Sequence, residues 1–171
     1  IMGLNWGHGS NEEPSVNREP LFQHIQLALS GLLQGVVTEP FAAISGVKPG
    51  TARCGFEHLL DHILQNLLGN AIKYSDPSEA VTCSLTEEED HLVISVSDLG
   101  IGIPKADQKR LFEAFHRADN VGSRPGTGLG LNIVRRAVEL LGGRITFSSK
   151  ETEGSTFRVL LPLKSKKQDT K

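Results

Sequence analysis

Two asparagines, Asn66 and Asn70, stand four residues apart in FEHLLDHILQNLLGNAIKYSD, the stretch from Phe56 to Asp76, with Lys73 and Tyr74 just behind them. On a helix this spacing puts both amides on one face, one above the other. Asparagine is a mediocre helix former that competes for backbone hydrogen bonds. Two of them beside an apolar stripe need partners, which are loop caps, buried waters or a ligand. A second chemical stretch is Asp98-Leu-Gly-Ile-Gly-Ile103, where two glycines spaced i, i+2 either form a turn or let backbone pass close to a bound group. The third is Gly126-Thr-Gly-Leu-Gly-Leu131, a glycine-rich turn that opens a helix. Free N–H groups and a positive dipole end make such a turn an anion site. No Lys follows it as in a phosphate loop, and no strand immediately precedes it as in a dinucleotide fingerprint. His58 and His62, also four apart, make a metal pair with no evident third ligand.

The elements that must carry these residues follow from periodicity. Leu59, Leu60, Ile63, Leu64, Leu67, Leu68, Ala71 and Ile72 recur at helical spacing, so Phe56–Asp76 reads as a central helix ended by Ser75-Asp-Pro-Ser78. Ahead of it, 21–33 reads as a helix, 36–47 as short or edge strands around Pro40, and Lys48-Pro-Gly-Thr51 as a turn. Alternation over Ala80–Leu85 and His91–Ser97 predicts a hairpin whose second strand runs into Asp98. Asp107–Phe115 reads as a short helix with Phe112 and Phe115 in the core. His116–Pro125 reads as a mobile polar loop with His116 in solvent. The helix that Gly126–Leu131 opens runs to about Leu141 and ends in a left-handed cap at Gly142-Gly143. Arg144–Ser149 and Ser155–Leu163 close the chain as a strand pair. Helices and hairpins are segregated rather than alternating, which argues against a parallel doubly wound sheet.

With 171 residues, 38% of them hydrophobic and 22% charged, the chain can build one globular domain with a proper core. A net charge of −2 gives no basic field for nucleic acid or a membrane surface. Cys54 and Cys83 read as free thiols of a reducing compartment. No apolar run approaches the roughly 20 residues of a membrane span. Residues 1–20 are expected to be an arm that is disordered or left from cloning, 21–163 the domain, and 164–171 a frayed charged tail.

Four pieces occur in fixed order: NLLGNAIKY, DLGIGI, LFEAFHR and GTGLGL. Together they resemble the N, G1, F and G2 boxes of the catalytic ATP-binding domain of sensor histidine kinases. That domain belongs to the superfamily that also holds DNA gyrase, the MutL proteins and heat-shock chaperones of the same ATP fold. The resemblance covers about Phe56 to Leu163. It implies an α/β two-layer sandwich of the Bergerat type, a mixed and largely antiparallel sheet with helices on one face. It implies ATP and Mg²⁺ as cofactors, with Asn70 as metal ligand and Asn66 beside it. Lys73 then adds charge for the phosphates, Tyr74 a ring against the nucleoside, and Asp98 an acceptor for the adenine amino group. Gly100, Gly102 and Ile103 form the G1 backbone, and Arg117 is a lid arginine for the γ-phosphate. Gly126, Thr127, Gly128, Leu129, Gly130 and Leu131 form the phosphate turn, and Ser155 offers a hydroxyl supporting Asp98. Catalytic roles fall to Asn66, Lys73 and Arg117. The lid spans about Pro104 to Pro125.

The resemblance also separates reaction classes. Hydrolytic relatives place a Glu where this chain has Asn66, and an amide accepts no proton near neutral pH. That fits phosphoryl transfer to a histidine. None of the six histidines is followed by the acidic residue of an acceptor site; His24 precedes Ile25-Gln26 and His58 precedes Leu59-Leu60. The expected partners are therefore ATP, an acceptor-histidine dimerisation domain and a response regulator, with no nucleic acid and no membrane contact. The setting is cytoplasmic, alone or as the inner part of a membrane-bound sensor. The chain looks like an excised catalytic domain that does not autophosphorylate alone. Two alternatives stand beside this: a nucleotide-sensing or partner-binding module with little catalysis, and an ATP hydrolase of the same superfamily. Leu99 departs from the family's usual Asn, and Phe56 from an Asp that would cap the central helix.

Overall fold

A computed structural model describes residues 2–6, 49–76, 78–89 and 91–162. The helix expected over 21–33, the strands expected over 36–47 and the tail 164–171 lie outside the described residues. The elements, in chain order, are β1 (Met2–Trp6), α1 (Pro49–Tyr74), β2 (Val81–Glu88), β3 (His91–Asp98), α2 (Lys105–Gln108), a 3₁₀ turn (Asp119–Val121), α3 (Gly130–Leu140), β4 (Arg144–Lys150) and β5 (Gly154–Pro162). They form a five-stranded sheet in the order β1-β2-β3-β5-β4. Every described ladder is antiparallel.

The layers follow from the period of each element. Phe56, Leu60, Ile63, Leu64, Leu67, Leu68 and Ala71 of α1 are buried, as are Val134, Ala137 and Val138 of α3. They meet Cys83 of β2, Leu92, Ile94 and Val96 of β3, and Phe157, Val159 and Leu161 of β5 in one core. Alternate strand residues face the helices, so the two-layer α/β sandwich is present as expected. Each fully buried aliphatic side chain contributes about 1.5–3 kcal/mol.

Three expectations need correction. Pro49, Gly50 and Thr51, expected to form a turn with Lys48, already belong to α1, which starts at Pro49. Proline suits a first helical position, where its missing N–H has no intrahelical partner to lose. Phe56 is therefore an interior core residue and not a failed cap. The helix expected over Asp107–Phe115 is a single turn, Lys105–Gln108, followed by three-residue turns such as Arg110 N–H to Asp107 O and Glu113 N–H to Arg110 O. Tertiary packing overrides propensity here: Leu111 packs on the core, and the Phe112 ring stands edge-on to Phe147 with centroids 5.9 Å apart. Finally, Met2–Trp6 falls in the arm set apart from the fold, yet it pairs along β2 from Met2↔Leu85 to Trp6↔Val81.

The end of α3 matches its expectation. Gly142 has φ +69; its N–H donates to Glu139 O, and Gly143 N–H donates to Val138 O. This is a Schellman closure, made possible by a residue without a Cβ penalty at positive φ.

Candidate nucleotide-binding site

The core-facing row of β3 is Leu92, Ile94, Val96 and then Asp98. Period-two alternation thus delivers a carboxylate to the helix-facing side at the end of an otherwise apolar row. The register sets Ser155 of β5 opposite Asp98, and Ser149 of β4 opposite Ser155. Asp98 Oδ1 accepts the Gly100 N–H at 2.9 Å. Burial holds the Asp98 carboxyl above the usual carboxylate range, opposed by the backbone N–H groups of Gly100 and Ser155. The Ser155 hydroxyl does not bond to Asp98; its partner is Ser149 Oγ at 2.9 Å. Ser155 supports Asp98 through its backbone.

From α1 come Asn66, Asn70, Lys73 and Tyr74, all on the wall of one cavity of about 250 Å³. Asn66 Nδ2 donates to His62 O at 2.7 Å, the back-bonding that a mid-helix asparagine tends to make. Its Oδ1 lies against Gly130, where an added Cβ would stand 2.8 Å away. Lys73 Nζ donates to the Tyr74 hydroxyl at 3.0 Å and sits 4.6 Å from the ring centroid. A Cβ on Gly126 would lie 2.6 Å from the same Nζ. The N-terminus of α3 has no side-chain cap and no acidic residue in its first turn, so its leading N–H groups remain open to an anion.

Of the expected site residues, Asn66, Asn70, Lys73, Tyr74, Asp98, Gly102, Ile103, Arg117, Gly126, Thr127, Gly128, Gly130, Leu131 and Ser155 line this cavity. Gly100 and Leu129 do not. Gly100 acts behind the wall through its bond to Asp98, and Leu129 occupies the position before α3. Leu99 is 58% exposed, so its departure from the family pattern lies on the surface. His58 and His62 are exposed, and no cluster of three metal-ligating side chains occurs among the described residues.

The segment expected to be a lid, Pro104 to Pro125, is built differently from the expectation. Phe115 is 74% exposed rather than in the core, with φ +63. Its N–H donates to Gly128 O at 3.1 Å, and Gly128 has φ +72, so the two roots of the loop are left-handed residues joined to each other. His116, expected in solvent, is nearly buried. Its Nε2 lies 3.1 Å from Asp107 Oδ1, yet that nitrogen makes no aligned hydrogen bond. Asp107 Oδ2 accepts the Asp119 N–H at 3.1 Å. Asn120 Nδ2 donates to Gly102 O at 3.0 Å. The Arg117 guanidinium donates to Arg124 O at 2.6 Å and to Gly122 O at 3.4 Å.

Sequence reasoning missed Ser149, Asp107 and Asn120. Ser149 Oγ accepts the Ile103 N–H at 2.9 Å and donates to Gly154 O at 3.0 Å, fixing the G1 turn to the far strand pair. The alternation Ile145, Phe147, Ser149 was a readable signal for its face. Nothing local marks Asp107 or Asn120, whose partners are 12 and 18 residues away.

A family model described as histidine kinase-, DNA gyrase B- and HSP90-like ATPase matches residues 55–165. The chain belongs to that family. Among its relatives, the sensor histidine kinase WalK of Bacillus subtilis is 43% identical over 114 residues, which cover 64% of this chain and 19% of WalK. The circadian input-output histidine kinase CikA of Synechococcus elongatus is 44% identical over 105 residues, 60% of this chain and 14% of CikA. The chain thus spans about a fifth or less of these relatives. Among solved structures, the mycobacterial sensor histidine kinase MprB aligns with a TM-score of 0.59 at 30% identity, covering 64% of this chain and 76% of that one. Full-length ShkA in complex with AMPPNP aligns with a TM-score of 0.56 at 31% identity, covering 64% and 22%. The chain is an ATP-binding domain of the kind that sensor histidine kinases carry, with the α/β sandwich of those structures.

Proposed function

We propose that this domain binds Mg·ATP in the cavity between α1, the G1 turn and α3, and transfers the γ-phosphoryl group to a histidine on a separate dimerisation domain. The observation that carries the reading is convergence. A buried carboxylate at one side, a lysine against the glycine turn, and the uncapped start of α3 share one cavity. Asp98 faces the adenine amino group, which has donors where the carboxylate has acceptors. The leading N–H groups of α3 and Lys73 hold the phosphates. Gly126 and Gly130 leave room for them, since a Cβ at either position would meet Lys73 Nζ or Asn66 Oδ1.

The donor set also fits a magnesium ion. Asn70 offers a hard oxygen, with Asn66 beside it to hold a coordinated water. Bound there, the metal would supply charge neutralisation to the phosphates. The chain's own residues position the nucleotide and offset charge: Lys73 directly, and Arg117 after releasing Gly122 O and Arg124 O.

Transfer is favoured over hydrolysis because Asn66 is an amide with its NH₂ already donating to His62 O. Asp98 is the sole carboxylate residue lining the cavity among the described residues, and it accepts the Gly100 N–H. The other proton acceptor on the wall is His116, with Nε2 turned to Asp107. In this reading the physiological partners are the acceptor-histidine domain and a response regulator, in a cytoplasmic setting. The domain by itself does not autophosphorylate.

The test is γ-labelled ATP with the domain, with and without a dimeric acceptor-histidine hairpin. Acid-labile phosphohistidine on the hairpin, slow release of free phosphate by the lone domain, and loss of transfer in Asn70→Ala are expected. Rapid phosphate release with no transfer to any hairpin would overturn the kinase reading in favour of a hydrolase.

A further inference from the structure

Two side chains fasten the lid segment to the G1 turn among the described residues: Gln108 at its root, which donates to Ile103 O at 2.9 Å, and Asn120 farther along. Asn120 Nδ2 donates to Gly102 O at 3.0 Å and, more weakly, to Ile101 O at 3.4 Å. The two carbonyl acceptors fix which end of the amide points there. Its Oδ1 is buried without a hydrogen-bond partner. A side chain whose acceptor half is idle is held in place by its donor half.

What Asn120 grips is rigid. Ile101 N–H donates to Tyr74 O at 3.1 Å, and Ile101 O accepts the Thr152 N–H at 2.8 Å. Gly102 has φ +63, and a Cβ there would meet the backbone of Lys150 and Glu151, so only glycine fits this close approach to the far strand pair. The turn that holds Asn120 is pinned again by Asp107, which accepts the Asp119 N–H. Immediately beyond lies Gly122, at φ +55, with open space where a Cβ would be. The lid therefore has an anchored part up to Val121 and a freer part from Gly122 to Thr127, held in this state by Arg117.

We propose that Asn120 is a positioning residue for the phosphate end of the site. It ties the lid to the G1 turn, so that Arg117 and the glycine turn take their places from the turn that faces the adenine. The proposal rests on the ATP-site reading above. It predicts that removing the Asn120 donor weakens ligands that carry a triphosphate and spares those that do not.

The experiment measures adenosine and AMPPNP binding, with magnesium, to the wild type, Asn120→Ala and Asn120→Asp. Asn120→Asp keeps the shape but turns an oxygen toward Gly102 O and Ile101 O; Asn120→Ala removes the donor without adding charge. AMPPNP affinity should fall about tenfold in both, the scale of one lost hydrogen bond in a desolvated site, and adenosine affinity should change less than about twofold. Amide exchange in Asn120→Ala should quicken over residues 119–130 and stay unchanged in β3. Unchanged AMPPNP binding in both variants overturns the proposal. So does an equal fall for both ligands accompanied by a lower melting temperature, since that marks a fold contact only. If the wild type binds neither ligand, the ATP-site reading itself fails.

Discussion

Replacing Asp98 with asparagine should move affinity and stability in opposite directions. In the variant, the side-chain oxygen can stay on the Gly100 N–H now at 2.9 Å. The second oxygen then becomes an NH₂ group, a donor facing the adenine amino donor. Losing a hydrogen bond to a charged acceptor costs about 1.5–3 kcal/mol. At about 1.4 kcal/mol per factor of ten, ADP affinity should drop about 10- to 100-fold. Stability responds to a different property. Burial raises the Asp98 carboxyl in the folded protein. The native state therefore holds that proton more readily than the unfolded chain does. The residue's contribution to stability is fully present below the unfolded value of 3.8, and is lost as pH rises through the higher folded value. The variant has no such loss. Its melting temperature, relative to wild type, should climb as pH rises from 3.8 toward neutrality and be no lower than wild type at pH 7. Calorimetric titration with ADP and thermal unfolding across that range read both effects. Unchanged ADP affinity would refute the adenine assignment, and a variant less stable at pH 7 by as much as it loses in binding would show Asp98 to be a structural support.

Other outcomes follow from local geometry. Gly128→Ala should destabilise the fold by at least about 1–2 kcal/mol in urea unfolding, because φ is +72 and a Cβ would press on Phe115 and His116 backbone at 2.7 Å; no change would mean that the lid root is loose. Ile63→Ala, at 0% exposure in the centre of α1, should cost about 2–5 kcal/mol by the same assay. Cys83 is pushed up to about 11 by burial, so mass spectrometry should find it unalkylated in the native protein at pH 8 and alkylated once unfolded. The same shift means that its stabilising contribution fades as pH rises from 9.0 to about 11, a loss that Cys83→Ala should lack.

The parts legible in sequence were those governed by local period. Leu60, Ile63, Leu64, Leu67 and Leu68 announce α1, and the alternation through Leu92, Ile94 and Val96 announces β3 and the face that Asp98 takes. Motif order picked out residues that the fold also groups, since all the expected site residues except Gly100 and Leu129 line one cavity. What escaped depended on distance along the chain. Asn120 looks like any polar loop residue until Gly102 is brought beside it. His116 looks solvent-bound until Asp107 is folded beneath it. Phe115 looks like core because it is aromatic, and only the backbone's left-handed bend at that residue shows the ring turned outward. The early start of α1 was hidden by Pro49-Gly50, a pair that reads as a turn unless the helix uses the proline as its first residue.

In the proposed reading, the row that ends in Asp98 ties recognition to parity. Leu92, Ile94, Val96 and Asp98 share one side of β3 because they are even steps apart. Inserting or deleting one residue within the strand would send either the three core side chains or the carboxylate to the opposite side. An insertion or deletion between Leu92 and Val96 splits the apolar row itself, so a frame error there breaks the core as well as moving the carboxylate. Substitution at residue 98 leaves that row in register, and in the proposed reading it changes only what the site recognises.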